Sequence, residues 1–566
     1  QKGSGPPTWN CHQFHSHSEF FADYGVYEVE IDVPEAFVVG ATGRLQGPPA
    51  ASGDAKRLSY SYRQEDVHDF AWCASPHFVE RNERWEFDRF CNEAPDGMGE
   101  RLRRVLAEAA GQRGVAPDSI RPTPVDVRFL LQPDHAEPEV WERYKWSVGA
   151  AIACYGIWYG RYPYDVLTVV DPPDGGRDAG GMEYPTLITC GARRLAPSYA
   201  WGQEGVTIHE FGHQFFYGLL GNNEFEEAWL DEGINSFSDA RTTEAAYGPG
   251  TAGTRYGHLF TAYHRPFEAP RVFERISSLL RVPTWTGWLK SPWKKDEPFL
   301  SVPERLGLFS YVRDLPFLHY DRHVTIPQPW GERSWVLDQR SDDSMVRPSW
   351  EYAGDGDYWV NSYGKPTVFL YALRGLMGAR AFDRMMYAYA ERHRFGHPRT
   401  KDFTDTVARF AAEAPDGGDP RLPELVGDFT RAVLETGARL DVAVLSASSR
   451  KVEGKKAVWE WTARVQRRGQ IPVPVEVVAT DATGDVHRWL WIAAPGETTR
   501  TFRTRRNRAL RSVRVGPPWI AWLDGDVTNN ARLVDDAGDR RPAAVLTARW
   551  TLSAEEILRT YVGVDR

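Results

Sequence analysis

The most informative stretch of this 566-residue chain is His209-Glu210-Phe211-Gly212-His213. It lies in residues 205–219, where apolar residues recur at helical spacing and predict a helix with one apolar face. Residues i and i+4 of a helix share a face, so His209 and His213 can present two imidazoles to one metal ion. The stretch therefore predicts two ligands of a zinc site. The alternative is a pair of solvated histidines on an exposed helix.

A carboxylate that can complete this site follows on the next predicted helix, residues 227–246. Within Trp229-Leu230-Asp231-Glu232-Gly233, eighteen residues separate Glu232 from His213, as a third ligand on an antiparallel helix requires. Two histidines and one carboxylate leave the fourth position of a tetrahedral zinc open for water. We therefore expect one zinc ion per chain, bound by His209, His213 and Glu232.

Two further carboxylates have predicted roles beside this metal. Glu210 projects about 100° away from His209 around the helix, so it is expected next to the metal-bound water as a general base. Asp239 lies two helical turns after Glu232 on the same face, where it can hydrogen-bond a ligand imidazole. The alternative for Asp239 is a carboxylate that faces solvent.

Hydrophobic periodicity predicts an α+β chain with several domains. Residues 1–133 contain short alternating runs, such as 27–33, which indicate a β domain interrupted by one helix near 96–111. Residues 134–437 mix helices and strands, and they include the zinc site. Residues 438–566 return to a period of two, and about seven short strands there predict a β-sandwich.

The middle segment has further predicted elements around the zinc helices. A helix is expected over 140–159, and strands are expected over 166–170 and 182–190. Helical spacing returns after Lys365. Residues 248–350 are rich in Trp, Pro and Tyr without clear periodicity, so we expect a large irregular insertion there.

Composition excludes several classes of protein. A chain of 566 residues exceeds what one hydrophobic core supports, so a multidomain protein is expected. A net charge of −9 and a pI near 6.0 argue against a nucleic-acid partner. The longest nearly apolar run, residues 148–158, contains glycines and falls short of the ~20 residues of a membrane-spanning helix. We therefore expect no membrane-spanning segment, whereas an oligomer or a partner chain is possible.

Cysteine usage and the start of the chain are less informative. The five cysteines lack CxxC spacing, so a thiolate zinc site is not expected. We expect buried thiols instead, and one disulfide among Cys11, Cys73 and Cys91 remains possible. The chain begins at Gln1 without an initiator Met or a signal peptide, which suggests a processed or trimmed chain. The compartment is unknown, and an extracytoplasmic or envelope location is favoured over a cytoplasmic one.

Three blocks of the sequence resemble the gluzincin aminopeptidases of the aminopeptidase N and leukotriene hydrolase type, and residue usage suggests a bacterial member. The blocks are Gly180-Gly181-Met182-Glu183-Tyr184-Pro185, then HEFGH followed by WLDEG, and Asn361-Ser362-Tyr363-Gly364-Lys365-Pro366. The resemblance covers most of the chain. It implies a thermolysin-like catalytic domain over 134–437, after an incomplete saddle-like β domain.

The resemblance also implies roles in substrate binding. Glu183, on a cleft strand with Gly180, Gly181 and Met182, would bind the free α-ammonium of a peptide, and this would make the enzyme an exopeptidase. Tyr363 would donate a hydrogen bond to the tetrahedral oxyanion. Without the resemblance, Glu183 would be interpreted as an exposed strand carboxylate and Tyr363 as part of the core.

The sequence departs from the family pattern in several places. Tyr184 stands where the family has Asn, which could alter the accepted first residue, and Pro366 stands where it has Gly, which could shift the start of a helix. The family's second amine contact, a Gln or Glu of the β domain, is expected upstream of Gln1. No large helical domain follows the predicted sandwich, so an open cleft, or one closed by a partner, is expected.

Other functions remain compatible with these residues. The resemblance also permits an endopeptidase that accepts blocked termini, or an epoxide hydrolase. A peptidase-like scaffold without catalysis is a third hypothesis, although both histidines, the base, the third ligand and the tyrosine are present.

Overall fold

The structure is a computed structural model, and it describes most of the chain. The long described ranges are 17–53, 56–192, 202–248, 343–412, 420–453, 458–494 and 496–534, with short pieces at 12–13, 15, 259–262, 318–321, 332–333 and 335–337. Most of the predicted insertion therefore lies outside the described residues. Helices and sheets are mixed along the chain, which confirms the α+β class.

The N-terminal part is built from antiparallel strands. They are β1 (Gly25–Pro34), β2 (Val38–Ala41), β3 (Arg44–Leu45), β4 (Ala50–Ala51), β5 (Arg57–Val67), β6 (Trp72–Ser75) and β7 (Val79–Trp85). Side chains alternate along β1 because neighbouring residues of a strand point to opposite faces: Ile31 and Val33 are buried, whereas Asp32 is exposed. β1 pairs with β5, and β2 pairs with β6. The alternation predicted for 27–33 therefore belongs to a sheet with one buried face.

A second, mixed sheet carries the next strands, which are β8 (Val125–Leu131), β9 (Val166–Val170) and β10 (Leu187–Thr189). Its order is β10-β9-β8-β7, and β8, β9 and β10 run parallel. The sheet crosses residue 133, where we predicted a domain boundary. The three-domain division remains a prediction, and this pairing would move its first boundary to before β7.

The strand predicted over 182–190 is shorter in the structure, so that prediction was wrong in extent. Met182 makes only an isolated bridge with Thr189, and β10 begins at Leu187. Pro185 lacks a backbone donor for a sheet ladder, and Thr186 has a positive φ of 58°. The chain therefore bends between Met182 and β10.

Helices cover the mixed sheet and extend beyond it. They are α1 (Phe87–Glu93), α2 (Met98–Arg113), α3 (Pro138–Tyr159), α4 (Gly202–Gly212), α5 (Glu224–Glu227), α6 (Glu232–Tyr247), α7 (Asp355–Trp359), α8 (Lys365–Met377), α9 (Ala379–His393), α10 (Thr400–Ala411) and α11 (Leu422–Glu435). The 3-10 turns include Pro117–Ile120, Pro133–His135, Ala228–Leu230, Ser349–Glu351, Pro518–Trp522 and Val527–Asn529. α6 contacts α2, α3, α4 and α8 and is therefore central to the helical layer.

Gly212 allows α3, α4 and α6 to approach closely. A Cβ atom at this position would lie 1.9 Å from Asn235 Oδ1 and 2.2 Å from the Tyr155 hydroxyl. Any side chain there would push α4 away from its neighbours, because packed interiors leave no spare volume. The glycine of the HEFGH stretch therefore sets the depth at which α4 is buried.

The last described strands form two sheets. These strands are β13 (Leu440–Lys451), β14 (Trp459–Gly469), β15 (Val475–Asp481), β16 (Val486–Trp491), β17 (Thr499–Arg506), β18 (Leu510–Gly516) and β19 (Ala531–Leu533). A separate antiparallel pair, β11 (Leu259–Ala262) and β12 (Leu318–Asp321), precedes them in the chain. Their orders are β13-β14-β17 and β16-β15-β18-β19, and β13 contacts β18. Val442, Val465 and Val513 are fully buried. These strands agree in number with the predicted sandwich.

The described residues also bear on the predictions about membrane-spanning helices and cysteines. None of their helices has the length and apolar character needed to cross a bilayer, as expected. Cys73, Cys91, Cys154 and Cys190 are free thiols, whereas Cys11 lies outside the described part.

Candidate active site

The HEFGH stretch forms the end of α4. The predicted helix was too long: α4 ends at Gly212, and the chain then turns, with Tyr217 at a positive φ of 92°. The His213 amide still donates to the His209 carbonyl at 3.2 Å, so the spacing of a helical turn is kept. The two imidazoles consequently lie side by side, with their Nε2 atoms 3.0 Å apart.

Glu232 approaches both imidazoles from the first residue of α6. Its Oε2 atom lies 3.2 Å from His209 Nε2 and 3.3 Å from His213 Nε2. Ligand atoms bound tetrahedrally at about 2.0–2.1 Å from zinc are themselves separated by about 3.3 Å. The three donor atoms therefore have the mutual spacing of a zinc ligand set, and their three residues form a group that could hold a metal ion.

Two aspartates orient the imidazoles through their other nitrogens. Asp239 Oδ2 lies 2.9 Å from His209 Nδ1, and Asp231 Oδ1 lies 2.6 Å from His213 Nδ1. Such bonds select the tautomer that leaves Nε2 free for a metal. Sequence reasoning assigned a role to Asp239 but missed Asp231, although Asp231 directly precedes Glu232.

The surroundings of the imidazoles are strongly negative. Burial lowers the pKa of His209, but hydrogen bonds to Asp239 and Glu232 outweigh burial and raise it to about 10. Burial raises the pKa of Glu232, but the interactions with His213 and His209 lower it by more, so its pKa lies below the ordinary range. Buried carboxylates thus outnumber the imidazoles, an arrangement that favours a divalent cation.

Glu210 lies on α4 between the two histidines and is 5% exposed. Burial, with the charges of Glu232 and Asp231, raises the pKa of its carboxyl to about 7 against the opposing effect of the histidines. Gly181 approaches it, since a Cβ on Gly181 would lie 3.5 Å from Glu210 Oε1. Gly181 also has a φ of 83°, a conformation that side chains disfavour.

Tyr363 reaches the site from a π-helical turn, Val360–Gly364, between α7 and α8. Its hydroxyl donates to Glu232 Oε1, and its ring stacks 6.1 Å from the His209 ring. Extra-wide turns of this kind are frequent at functional sites because they redirect a side chain without ending the helix. Pro366 is the second residue of α8 and lies directly after this π-helical turn.

Glu183 and Glu19 add two more carboxylates to the site. Glu183 is 3% exposed, and its Oε1 atom has no hydrogen-bond partner among the described residues. Burial, followed by the charges of Glu232 and Asp231, raises the pKa of Glu19 to about 7. A second amine contact could not be assigned from the sequence, and Glu19 is a carboxylate that interacts electrostatically with this site. Sequence reasoning missed it because no motif surrounds it.

Comparison with known proteins gives a partial similarity. No family model matches the chain. Aminopeptidase RNPEPL1 of Mus musculus is 22% identical over 299 residues, which are 52% of this chain and 30% of that protein. The crystal structure of Legionella pneumophila aminopeptidase A in complex with aspartic acid has a TM-score of 0.47 and 12% identity, covering 85% of this chain and 42% of that chain. The chain therefore spans less than half the length of either protein.

Proposed function

We propose that this chain is a zinc-dependent aminopeptidase, a hydrolase that removes the first residue of oligopeptides. The observation that carries this proposal is the meeting of His209 Nε2, His213 Nε2 and Glu232 Oε2 at 3.0 to 3.3 Å from one another. Two imidazoles and one carboxylate suit zinc, and both imidazoles are oriented by aspartates. When bound there, zinc would polarise the scissile carbonyl and acidify a water molecule.

Glu210 is the proposed general base and acid. It would take a proton from the attacking water and deliver it to the leaving amine. Its pKa of about 7, raised chiefly by burial, suits a group that must both accept and release a proton near neutral pH.

Tyr363 is the proposed oxyanion donor. Its hydroxyl is directed at Glu232 Oε1, so it is already held next to the ligand set. Burial and then the charge of Glu232 raise its pKa well above the ordinary value, which keeps the phenol protonated and able to donate. A fixed donor of this kind stabilises negative charge that develops on the carbonyl oxygen.

Glu183 and Glu19 are the proposed contacts for the substrate's α-ammonium, with Gly180, Gly181 and Met182 bordering the same side of the cleft. A charged amine can satisfy the buried Glu183 Oε1, which has no hydrogen-bond partner among the described residues. Because these groups stand at a fixed distance from the metal donors, only peptides whose amino terminus lies one residue before the scissile bond gain the interaction. This selectivity favours an exopeptidase over an endopeptidase.

The proposal is tested with a panel of amino-acyl anilides and their N-acetylated counterparts, with and without a chelator. We expect hydrolysis of the free amines only, loss of hydrolysis with the chelator, and recovery on addition of zinc. Equal rates on acetylated substrates would point to an endopeptidase and remove Glu183 from its role. Hydrolysis that persists after complete removal of metal would contradict the zinc mechanism.

A further inference from the structure

Glu224 is a buried carboxylate that the proposed mechanism does not use. It begins α5, its side chain is fully buried, and neither of its carboxylate oxygens has a hydrogen-bond partner among the described residues. A buried carboxyl whose oxygens have no hydrogen-bond partner can gain hydrogen bonds from a ligand that reaches it. Glu224 is therefore a candidate for binding a positively charged group.

Electrostatic interactions link Glu224 to the groups of the candidate active site. Burial, followed by the charges of Asp231, Glu19 and Glu232, raises the pKa of Glu224. Conversely, burial and then the charge of Glu224 raise the pKa of Tyr358, whose ring lies 6.4 Å from that of Tyr363. Glu224 thus interacts electrostatically with the proposed metal ligand Glu232, with Glu19, and with Tyr358 next to the proposed oxyanion donor.

Three acidic side chains in this part of the site could each accept a positively charged partner. Glu19, Glu183 and Glu224 are three carboxylates, and no Lys or Arg of the described residues forms an ion pair with them. The α-ammonium of a substrate brings a single positive charge, which Glu183 and Glu19 can share. Burial keeps the Glu224 carboxyl protonated, and a second positive group of the substrate is the partner that would favour its ionised form.

Neutral polar groups next to Glu224 point independently to a ligand. Both side-chain amide atoms of Asn223, which is 6% exposed, lack hydrogen-bond partners among the described residues. The Nδ2 atom of Asn222, 1% exposed, also lacks one. Buried amides are normally satisfied, so these donors and acceptors are available to a polar ligand that reaches them. An amide oxygen beside a carboxylate suits a guanidinium or ammonium group.

We propose that Glu224 and Asn223 bind the charged side chain of the substrate's first residue, so that the enzyme prefers peptides with an amino-terminal Arg or Lys. This inference rests on the proposed aminopeptidase function. The substrate would then supply two positive charges, the α-ammonium for Glu183 and Glu19 and the side chain for Glu224. Arg fits this arrangement well, since its planar guanidinium can bond a carboxylate through two parallel donors.

The test compares arginyl and citrullyl anilides, because citrulline has nearly the size of arginine but no charge. We expect kcat/KM for the arginyl substrate to be at least about tenfold higher, which corresponds to about 1.4 kcal/mol. Glu224→Gln should remove most of this preference by lowering kcat/KM for the arginyl substrate. Glu226→Gln is the matched control, since Glu226 lies on the same helix but pairs with His12 outside the cluster.

A binding measurement separates this inference from the proposed activity. Calorimetry with arginine amide and citrulline amide on the metal-free protein should show tighter binding of arginine amide, by about tenfold, and loss of that difference in Glu224→Gln. If that variant does not fold, Glu224→Asp keeps the charge and should retain a weakened preference. Equal affinities and equal rates for the two ligands in the wild type would overturn the inference alone. Absence of hydrolysis of every amino-acyl substrate would instead overturn the proposed function.

Discussion

The two imidazoles of the candidate metal site are each held by an aspartate, and this is the feature that distinguishes a prepared site from two neighbouring histidines. Asp239 bonds His209 Nδ1, and Asp231 bonds His213 Nδ1. A carboxylate behind an imidazole fixes its tautomer and makes the opposite nitrogen a better donor. The aspartates therefore orient both imidazoles for metal binding in the absence of an ion.

We predict that Asp239→Asn weakens zinc binding by about 10- to 100-fold, because the neutral amide no longer favours the required tautomer. Competition with a chromophoric chelator measures this affinity. Glu244→Gln, five residues further along α6, is the control and should bind zinc like the wild type. Unchanged affinity in Asp239→Asn would show that Asp239 does not support the ligand.

At the scale of single elements, the site depends on how closely α4 is packed. Gly212 touches Tyr155 of α3 and Asn235 of α6, and Asn235 in turn donates to the His209 carbonyl at 2.8 Å. The position of the ligand-bearing helix is thus fixed by a residue that binds nothing itself. Function at this site is consequently sensitive to the packing of three helices.

We predict that Gly212→Ala destabilises the protein by about 1–3 kcal/mol or more and lowers zinc affinity, because the added methyl group must displace α3 or α6. Urea unfolding and metal titration measure the two effects. Gly205→Ala on the same helix is the control, since a Cβ there meets no atom within 4 Å. It should be neutral or stabilise by about 0.5–1 kcal/mol, and equal behaviour of the two variants would contradict the packing argument.

The sequence predicted helices and site residues well where their arrangement depends on residues that are close together along the chain. The spacing of His209, His213 and Glu232 follows from helical geometry, and their donor atoms do meet. Helix ends were predicted less well, since α4 stops at Gly212 through a turn that depends on contacts of Tyr217 with distant residues. Glu19 and Glu224 could not be predicted, because only tertiary folding brings them to the metal donors.

At the scale of the whole molecule, the N-terminal strands are joined to the helical part next to the active site. His68 follows β5, and its Nε2 atom contacts the Tyr217 carbonyl at 3.0 Å. It is 2% exposed, and its Nδ1 atom has no hydrogen-bond partner among the described residues. This contact couples the first sheet to the turn that follows His213.

We predict that His68 makes the protein less stable in mild acid. Burial lowers its pKa from the ordinary 6.5 to about 4, so between these values the unfolded chain binds a proton that the folded chain does not. The free energy of unfolding therefore falls as the pH falls through this window, by about 3 kcal/mol for this group.

Urea unfolding between pH 7 and pH 4 tests this effect. His68→Asn should show a smaller loss of stability with falling pH, whereas His77→Asn, at an exposed position, should match the wild type. An identical pH dependence in all three proteins would contradict the role of His68.

The central claim is that Glu210 performs proton transfer next to a zinc ion bound by His209, His213 and Glu232. The most direct test is the kcat of Glu210→Gln on an amino-acyl anilide, measured with the zinc content of the same sample. We predict about one zinc per chain in both proteins and a fall in kcat of about 10²-fold or more in the variant. A variant with full zinc content that retains substantial turnover, or a wild-type protein that binds no zinc, would contradict the claim.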